Sequence, residues 1–404
     1  MNGKNRKTIR KPILLLLIMT LLSSCKNEQT LTGNYEKGFI YVSEEGNNNE
    51  KEAFELDGVT YLSLPDGVSD IKGRPILSNG RIYVCDNQYK SVLVFDAYGK
   101  FQYRVGRSGH ARDEIIGRIE TFDVDSATGD VHIFNREGRK MLVYDKEGKF
   151  VRSVHFPKEL PSSVCLSDKG GYIASCDYRS SMVGETQLLL LDAECKTVKT
   201  FLVDAGGNKM TCEGANTMPL FSDNNGQVAY LSLLADSIVV LSGDSVEKVV
   251  KVKFKDGFLP SSVAEKVKSS GETSYLRGNP VQYISKAMVN ESFVLIEYYG
   301  GKFDMNYTFL MNRKSKMTYF KNGFLFVPRM LGTIVSIDGN DLIGVVTMET
   351  IDRARIQLEA EMGQHGKGWT KTKAETLALC YDSVSVDMVM RDKPCPAIYK
   401  VRVK

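Results

Sequence analysis

Val92-Leu93-Val94-Phe95-Asp96-Ala97-Tyr98-Gly99-Lys100-Phe101 returns, shifted by 49 residues, as Met141-Leu142-Val143-Tyr144-Asp145-Lys146-Glu147-Gly148-Lys149-Phe150. Each copy follows another short apolar run, Ile82-Tyr83-Val84-Cys85-Asp86 or Val131-His132-Ile133-Phe134-Asn135. Short runs rich in β-branched and aromatic residues, bounded by Gly, Asn and Asp, read as strands. Aspartate opens a turn by accepting a hydrogen bond from the backbone two residues on, and glycine supplies the positive φ that the turn needs. Asp-x-x-Gly is therefore the hairpin between the third and fourth strands of a four-stranded unit.

The pattern weakens downstream but persists. Leu188 to Asp192, with Ala193-Glu194-Cys195-Lys196, keeps the turn without its glycine. Ile238 to Ser242 and Thr308 to Asn312 keep the strand and a turn-opening Ser or Asn. A β repeat of roughly 40–50 residues marks a propeller. Six units tile 58–107, 117–157, 161–204, 217–256, 280–327 and 330–404. The predicted fold is all-β: a six-bladed β-propeller of four-stranded antiparallel blades. Closing the ring without an unpaired edge requires its first and last strands to share one blade, with Pro396 to Val403 as the final strand. Two segments break the rhythm. Ser261 to Gly278 predicts a short helix between blades four and five. Ile351 to Leu379, containing Ala354-Arg355-Ile356-Gln357-Leu358-Glu359-Ala360-Glu361-Met362, predicts a short helical insertion in the last blade.

The beginning of the chain speaks of export. Lys4, Arg6, Lys7, Arg10 and Lys11 form a basic region, and Pro12 to Leu22 is almost wholly apolar. That run is about half the ~20 residues that span a bilayer, so it reads as the core of a signal peptide. Leu22-Ser23-Ser24-Cys25 follows and resembles a bacterial lipobox, with cleavage before Cys25 and acylation of its thiol and new amine. Several acyl chains on one residue make a stable anchor where a single chain is marginal. The expected organisation is a lipoprotein signal peptide over 1–24, a lipid-anchored polar tether over 25–50 with at most one short strand at Phe39 to Val42, and the propeller over 51–404. The signal carries five basic residues and no acid; without it, 48 basic residues face 49 acidic ones. The apparent basicity thus belongs to the signal, and charge gives no reason to expect a nucleic-acid partner.

Seven cysteines follow Cys25, with no C-x-x-C among them. A chain this long needs no staples, and most read as small buried hydrophobes; Cys165 with Cys176 and Cys380 with Cys395 are the pairs spaced to bridge. Catalytic patterns are absent. There is no His-Glu-x-x-His, P-loop, dinucleotide fingerprint or Gly-x-Ser-x-Gly. Asp223-Asn224-Asn225-Gly226 starts like a calcium loop but lacks the distant Glu and reads as a hairpin turn. Asp123 and Asp125 adjoin strand–turn signals and read as turn residues. No cofactor or metal is expected.

Binding has better support. In a propeller, the loops from the second to the third strand and from the fourth strand to the next blade share one face, around the mouth of the central channel. That face should carry Asn87, Gln88 and Tyr89; Arg107, His110, Arg112 and Asp113; Asn135 and Arg136; Tyr178 and Arg179; and Tyr298, Tyr299 and Lys302. Tyr and Arg are enriched at recognition hot spots. Tyr89, Arg107, His110, Arg112, Arg136, Tyr178, Arg179 and Tyr299 form the expected ligand-binding set, with Arg107, Arg112 and Arg136 clustering as an anion site.

The signal and lipobox, the repeats ending in Asp-x-x-Gly-Lys-Phe, the Gly106-Arg107-Ser108-Gly109 turn and the C-terminal strand together resemble the six-bladed, NHL-like β-propeller lipoproteins of Bacteroides and relatives, across nearly the whole chain. Members of that family often carry Gly-x-x-Gly-x-Gly-Pro-Gly-Glu-Tyr after the first blade. Here Gly106 to Ile115 lacks the later glycines, the proline and the tyrosine, so the role of that loop does not carry over. The resemblance implies an outer-membrane lipoprotein, and Lys26-Asn27-Glu28 resembles the signal for surface display. It also implies O-glycans at Asp-Ser-apolar sites: Ser126, Ser237, Ser245 and Ser383. Three functions fit: a recognition or scaffold module binding a glycan, peptide or partner protein, a metal-dependent hydrolase or lyase like the propeller lactonases, or a structural subunit of an envelope complex.

Overall fold

The computed structural model describes residues 30–31, 36–42, 54–156, 160–176, 188–203, 220–223, 227–231, 234–300, 305–323, 330–365 and 371–403. Cys25, Tyr178 and Arg179 lie outside these residues, as do the signal peptide and the Lys26-Asn27-Glu28 segment.

Six antiparallel sheets form a propeller. Blade one comprises Ile71–Ser78, Arg81–Asp86, Val92–Asp96 and Phe101–Val105, paired in that order. Blades two to five repeat this order between Thr121 and Asn322. Blade six takes Thr333–Asp338, Asp341–Val346 and Ala397–Val403 from the C-terminal part of the chain and Phe54–Tyr61 from the N-terminal part. The expected closure is thus present, and it moves one boundary: residues 58–61 belong to the outer strand of blade six, not to blade one. First strands touch in succession from blade six through one, two, three and four to five, and so surround the axis.

The core lies between blades. One apolar cluster joins blades one and two, another two and three, another three and four, another six and one, and the largest spans four, five and six. A sheet covered on both faces should read as a continuous apolar run. Val92, Leu93, Val94 and Phe95 are all fully buried.

The turn code works as its chemistry requires. The Asp96 carboxylate accepts from the amides of Tyr98 and Lys100, and Asp145 does the same for Glu147 and Lys149. Gly99 has φ 81°, and a Cβ there would lie 1.9 Å from the Tyr61 carbonyl oxygen of the closing strand. In blade three Asp192 makes the same bonds to Glu194 and Lys196, and Cys195 takes the left-handed position at φ 56°.

Two insertions depart from the strand pattern. Helix α1 (Ser261–Ser270) stands between blades four and five, where a short helix was expected. The insertion in blade six is longer than expected: α2 (Met348–His365), α3 (Lys373–Cys380) and α4 (Ser383–Met390) all fall between its second and third strands. The tether reading also needs revision. Glu36–Val42 is a seven-residue strand paired in parallel with the outer edge of blade four, burying Ile40 and Val42, and Thr30–Leu31 pairs with the edge of blade three. Cys85, Cys165, Cys176 and Cys195 are buried, and neither they nor Cys380 and Cys395 form a disulfide. No described helix is long and apolar enough to cross a membrane.

Candidate functional site: a cleft at the mouth of the channel

A cleft of about 1310 Å³ opens on the face that carries the second-to-third-strand and blade-to-blade connections. Blade one contributes Ser69 to Arg74, Asn87 and Tyr89, and blade two contributes Arg118 to Thr121. Ser162 and Ser163 come from blade three, Tyr283, Lys286, Glu297 and Tyr299 from blade five, and Thr347 to Thr350, Asp352 and Arg353 from the insertion in blade six.

Helix α2 overhangs the cleft because blade one holds its first turn. Both carboxylate oxygens of Asp70 accept from its leading amides, Met348 at 2.8 Å and Glu349 at 3.1 Å. These amides have no partner within the helix, so a carboxylate there satisfies two donors and meets the positive end of the helix dipole.

Tyr89 is held with equal care. Its loop closes over the buried Asp86, which accepts from Gln88 N, Lys90 N and the Ser91 hydroxyl. Tyr89 itself sits at φ 56°, a conformation that is an outlier for a bulky side chain. Its ring lies over Gly73, where an added Cβ would touch it at 3.6 Å, and Lys72 Nζ stands 5.8 Å from the ring centre. Burial raises its phenol above the ordinary value. On the blade-five wall, Tyr283 and Tyr299 stack nearly parallel, with centroids 5.5 Å apart and planes at 12°.

At the floor, Arg74 projects from the inner strand of blade one, its guanidinium 5.0 Å from the ring centre of Phe221 in blade four. Burial lowers its pKa; Asp123, Cys165, Asp223 and Asp338, from four other blades, counter that. Asp123 is buried and accepts from Val124 N and, across the blade boundary, from Leu166 N at 2.9 Å. Burial pushes its carboxyl up, against the pull of Arg74. Asp123 is therefore a residue of the inner strand of blade two and not a turn residue, whereas Asp125 is one, accepting from Ala127 N and Thr128 N. Asp223 accepts from Gln227 N; residues 224–226 of the segment that reads as a hairpin turn lie outside the described residues. Among the described residues no group of His, Cys, Asp and Glu is arranged to hold a metal ion.

The structure divides the expected binding set. Tyr89 and Tyr299 line the cleft; Arg107, His110, Arg112 and Arg136 do not. The Gly106-to-Ile115 loop turns outward over blade two. Tyr144 and the buried Lys140, from that blade's third strand, hydrogen-bond its carbonyls, and Arg112 donates to Ser153 on the fourth strand. Arg107 is answered by Glu114 at 3.0 Å and Asp113 at 3.5 Å. The expected arginine cluster is thus not assembled at the mouth. First strands line the axis, whereas third and fourth strands lie at the periphery, and the loop is tied to the latter. Asn135, also expected on this face, is fully buried and clips the next connection by binding Ile116 N, Ile116 O and Arg118 O. It presents Arg118 to the cleft instead. Sequence reasoning missed Tyr283, Arg118, Arg74 and Arg353. Of these only Tyr283, in an apolar run directly after the α1 segment, carried a local signal.

Of the four serines in Asp-Ser-apolar sites, Ser126, Ser245 and Ser383 are exposed and Ser237 is half-buried. Asp382 also caps α4 by accepting from Ser385 N.

Residues 70–368 match the family described as "Domain of unknown function (DUF4934)". The chain belongs to that family. Its fold is similar to that of an inferred exported protein of Bacteroides fragilis, at a TM-score of 0.68 and 14% identity over 92% of this chain and 100% of the other. A member of the DUF4221 family from Bacteroides vulgatus is more distant, at a TM-score of 0.50 and 9% identity over 87% of this chain and 99% of the other. At these identities the likeness is one of fold. No curated protein matches the chain.

Proposed function

We infer that this DUF4934 protein is a lipid-anchored recognition module of the cell envelope, holding its ligand in the cleft at the channel mouth. The observation that carries this reading is the provision made for Tyr89. A bulky residue in the left-handed region costs on the order of 1–3 kcal/mol. Here a buried aspartate that accepts from three donors fixes that conformation at the rim of a wide cleft. Strain held in place by its surroundings clusters at functional sites. Export and anchoring rest on the signal and the Leu22-Ser23-Ser24-Cys25 lipobox. Exposure of Ser126, Ser245 and Ser383 is compatible with glycosylation.

Two experiments test this. Cys25→Ala should abolish labelling of the protein by a fatty-acid analogue in growing cells; persistent labelling contradicts the anchor. A photo-crosslinking amino acid placed in the cleft at Asn87 or Thr350 should capture adducts in living cells, while the same group at the exposed rim position Val151 should not. Equal capture from rim and cleft, or none from either, contradicts the site.

A further inference from the structure

Taking the cleft as the binding site, we propose that its ligand is an uncharged oligosaccharide, seated against the tyrosines of blades one and five. The cleft lining balances five basic side chains (Lys72, Arg74, Arg118, Lys286, Arg353) against five acidic ones (Asp70, Glu120, Glu297, Glu349, Asp352). Lys286 and Glu297 pair at 2.9 Å while both are largely buried, Arg118 and Glu120 approach to 3.8 Å, and Arg353 pairs with Glu349 along α2. Asp70 is occupied by the α2 amides, and Lys72 lies over the Tyr89 face. A charged ligand at the Lys286–Glu297 pair would have to break it or be desolvated beside it, which is costly because both side chains are largely buried; the more exposed Arg118–Glu120 and Arg353–Glu349 pairs add charge balance. The site is charged yet self-neutralised, so it selects against net charge.

An uncharged, hydroxyl-rich molecule meets no such penalty. Each sugar hydroxyl both donates and accepts, and so can join the outward sides of these pairs without disrupting them. The C–H faces of a sugar ring need flat apolar surfaces. Tyr283 and Tyr299, stacked 5.5 Å apart and both half-buried, provide them, and the half-buried Tyr89 borders the site from the adjoining wall. Size adds a further constraint. Sites for single small molecules run to about 1,000 Å³, and this cleft is about 1310 Å³. That is room for several linked sugars.

The purified full chain should be screened against immobilised oligosaccharides, both neutral (glucan, xylan, mannan and starch oligomers) and anionic (polygalacturonate and chondroitin sulfate oligomers), and hits measured by calorimetry. At least one neutral oligomer should bind. Its affinity should change less than about twofold between about 50 and 500 mM sodium chloride, since no counterion is exchanged. Tyr299→Ala should weaken it about tenfold, while Tyr299→Phe, which keeps the face and folds equally well, should retain most of it. Binding confined to anionic oligomers, affinity that collapses with salt, or no binding across the panel overturns the assignment. The crosslinking result separates the two failures. Cleft-specific adducts that prove to be peptides leave the site standing and overturn the sugar alone; adducts independent of the cleft overturn both.

Discussion

Lys316 closes the Asn312 turn of blade five at φ 62°, exposed, in a place that a glycine would occupy without strain. A left-handed conformation costs an L-residue roughly 1–2 kcal/mol, and glycine returns part of that gain through its freer unfolded state. Lys316→Gly should therefore raise stability by about 0.5–1 kcal/mol, read as a higher denaturant midpoint at unchanged slope. A second residue carries a pH signature. His132 lies between blades two and three, its Nδ1 3.0 Å from the Tyr172 hydroxyl, and burial pulls it from 6.5 down to about 4. The unfolded chain takes up this proton near 6.5 and the folded chain only near 4. Stability from this group is thus intact above about pH 6.5 and lost progressively as pH falls toward 4, by at most ~3.5 kcal/mol at about 1.4 kcal/mol per unit. His132→Phe should flatten that part of the profile relative to the parent. A parent and variant whose stabilities fall in parallel across the window would count against it. The Asp-x-x-Gly turns were legible because their code is local, bonds two and four residues along the chain. Cys195 shows the limit of that code: its turn was readable from Asp192, but nothing local announces that a cysteine takes the left-handed place.

At the scale of elements, the legible parts were those whose partners lie nearby in sequence. Consecutive strands of a blade are joined by short turns, and their apolar runs survive as repeats. Helix α1 was visible as a break in that rhythm. The blade-six insertion was seen only as one short helix, because its supports are distant. The cap of α2 comes from Asp70, 278 residues before Met348. By contrast, α3 opens with a local capping box, Thr372 and Glu375, which the sequence does display. The funnel loops mark the same boundary. Topology brings Asn87, Tyr89 and Tyr299 to the cleft, but which loop leans inward depends on contacts such as Lys140 with the Gly106-to-Ile115 loop, which no spacing reveals. Asp70→Ala should leave two amides at the start of α2 without their acceptor, costing about 1 kcal/mol. Hydrogen exchange at Met348 to Asp352 should accelerate while the strands of blades two and three keep their protection. Uniform acceleration throughout the ring would show instead that the insertion is not a separate cooperative element.

For the whole molecule, the decisive bond is the one that makes a ring of the six sheets. Phe54–Tyr61 runs antiparallel to Ala397–Val403 from Tyr61 opposite Ala397 to Phe54 opposite Val403, and Arg402 reaches Asp57 across the pair at 3.2 Å. Without the N-terminal strand, blade six would be three-stranded and Ala397–Val403 would present its backbone to solvent as an open edge, a template for association with other chains. Phe54 would also leave its edge-on contact with Tyr319 of blade five, and Gly99 of blade one would lose the backbone on which its hairpin rests. One strand thus supports three blades. A chain that starts after Tyr61 should therefore unfold without the single cooperative transition of the parent and elute as oligomers in size-exclusion chromatography. Added in trans, a synthetic peptide spanning Phe54–Tyr61 should restore the monomer. A scrambled peptide should not, because a one-residue slip in register turns every side chain to the wrong face. A truncated chain that stays monomeric and cooperative would mean that contacts between blades, and not the shared strand, hold the ring closed.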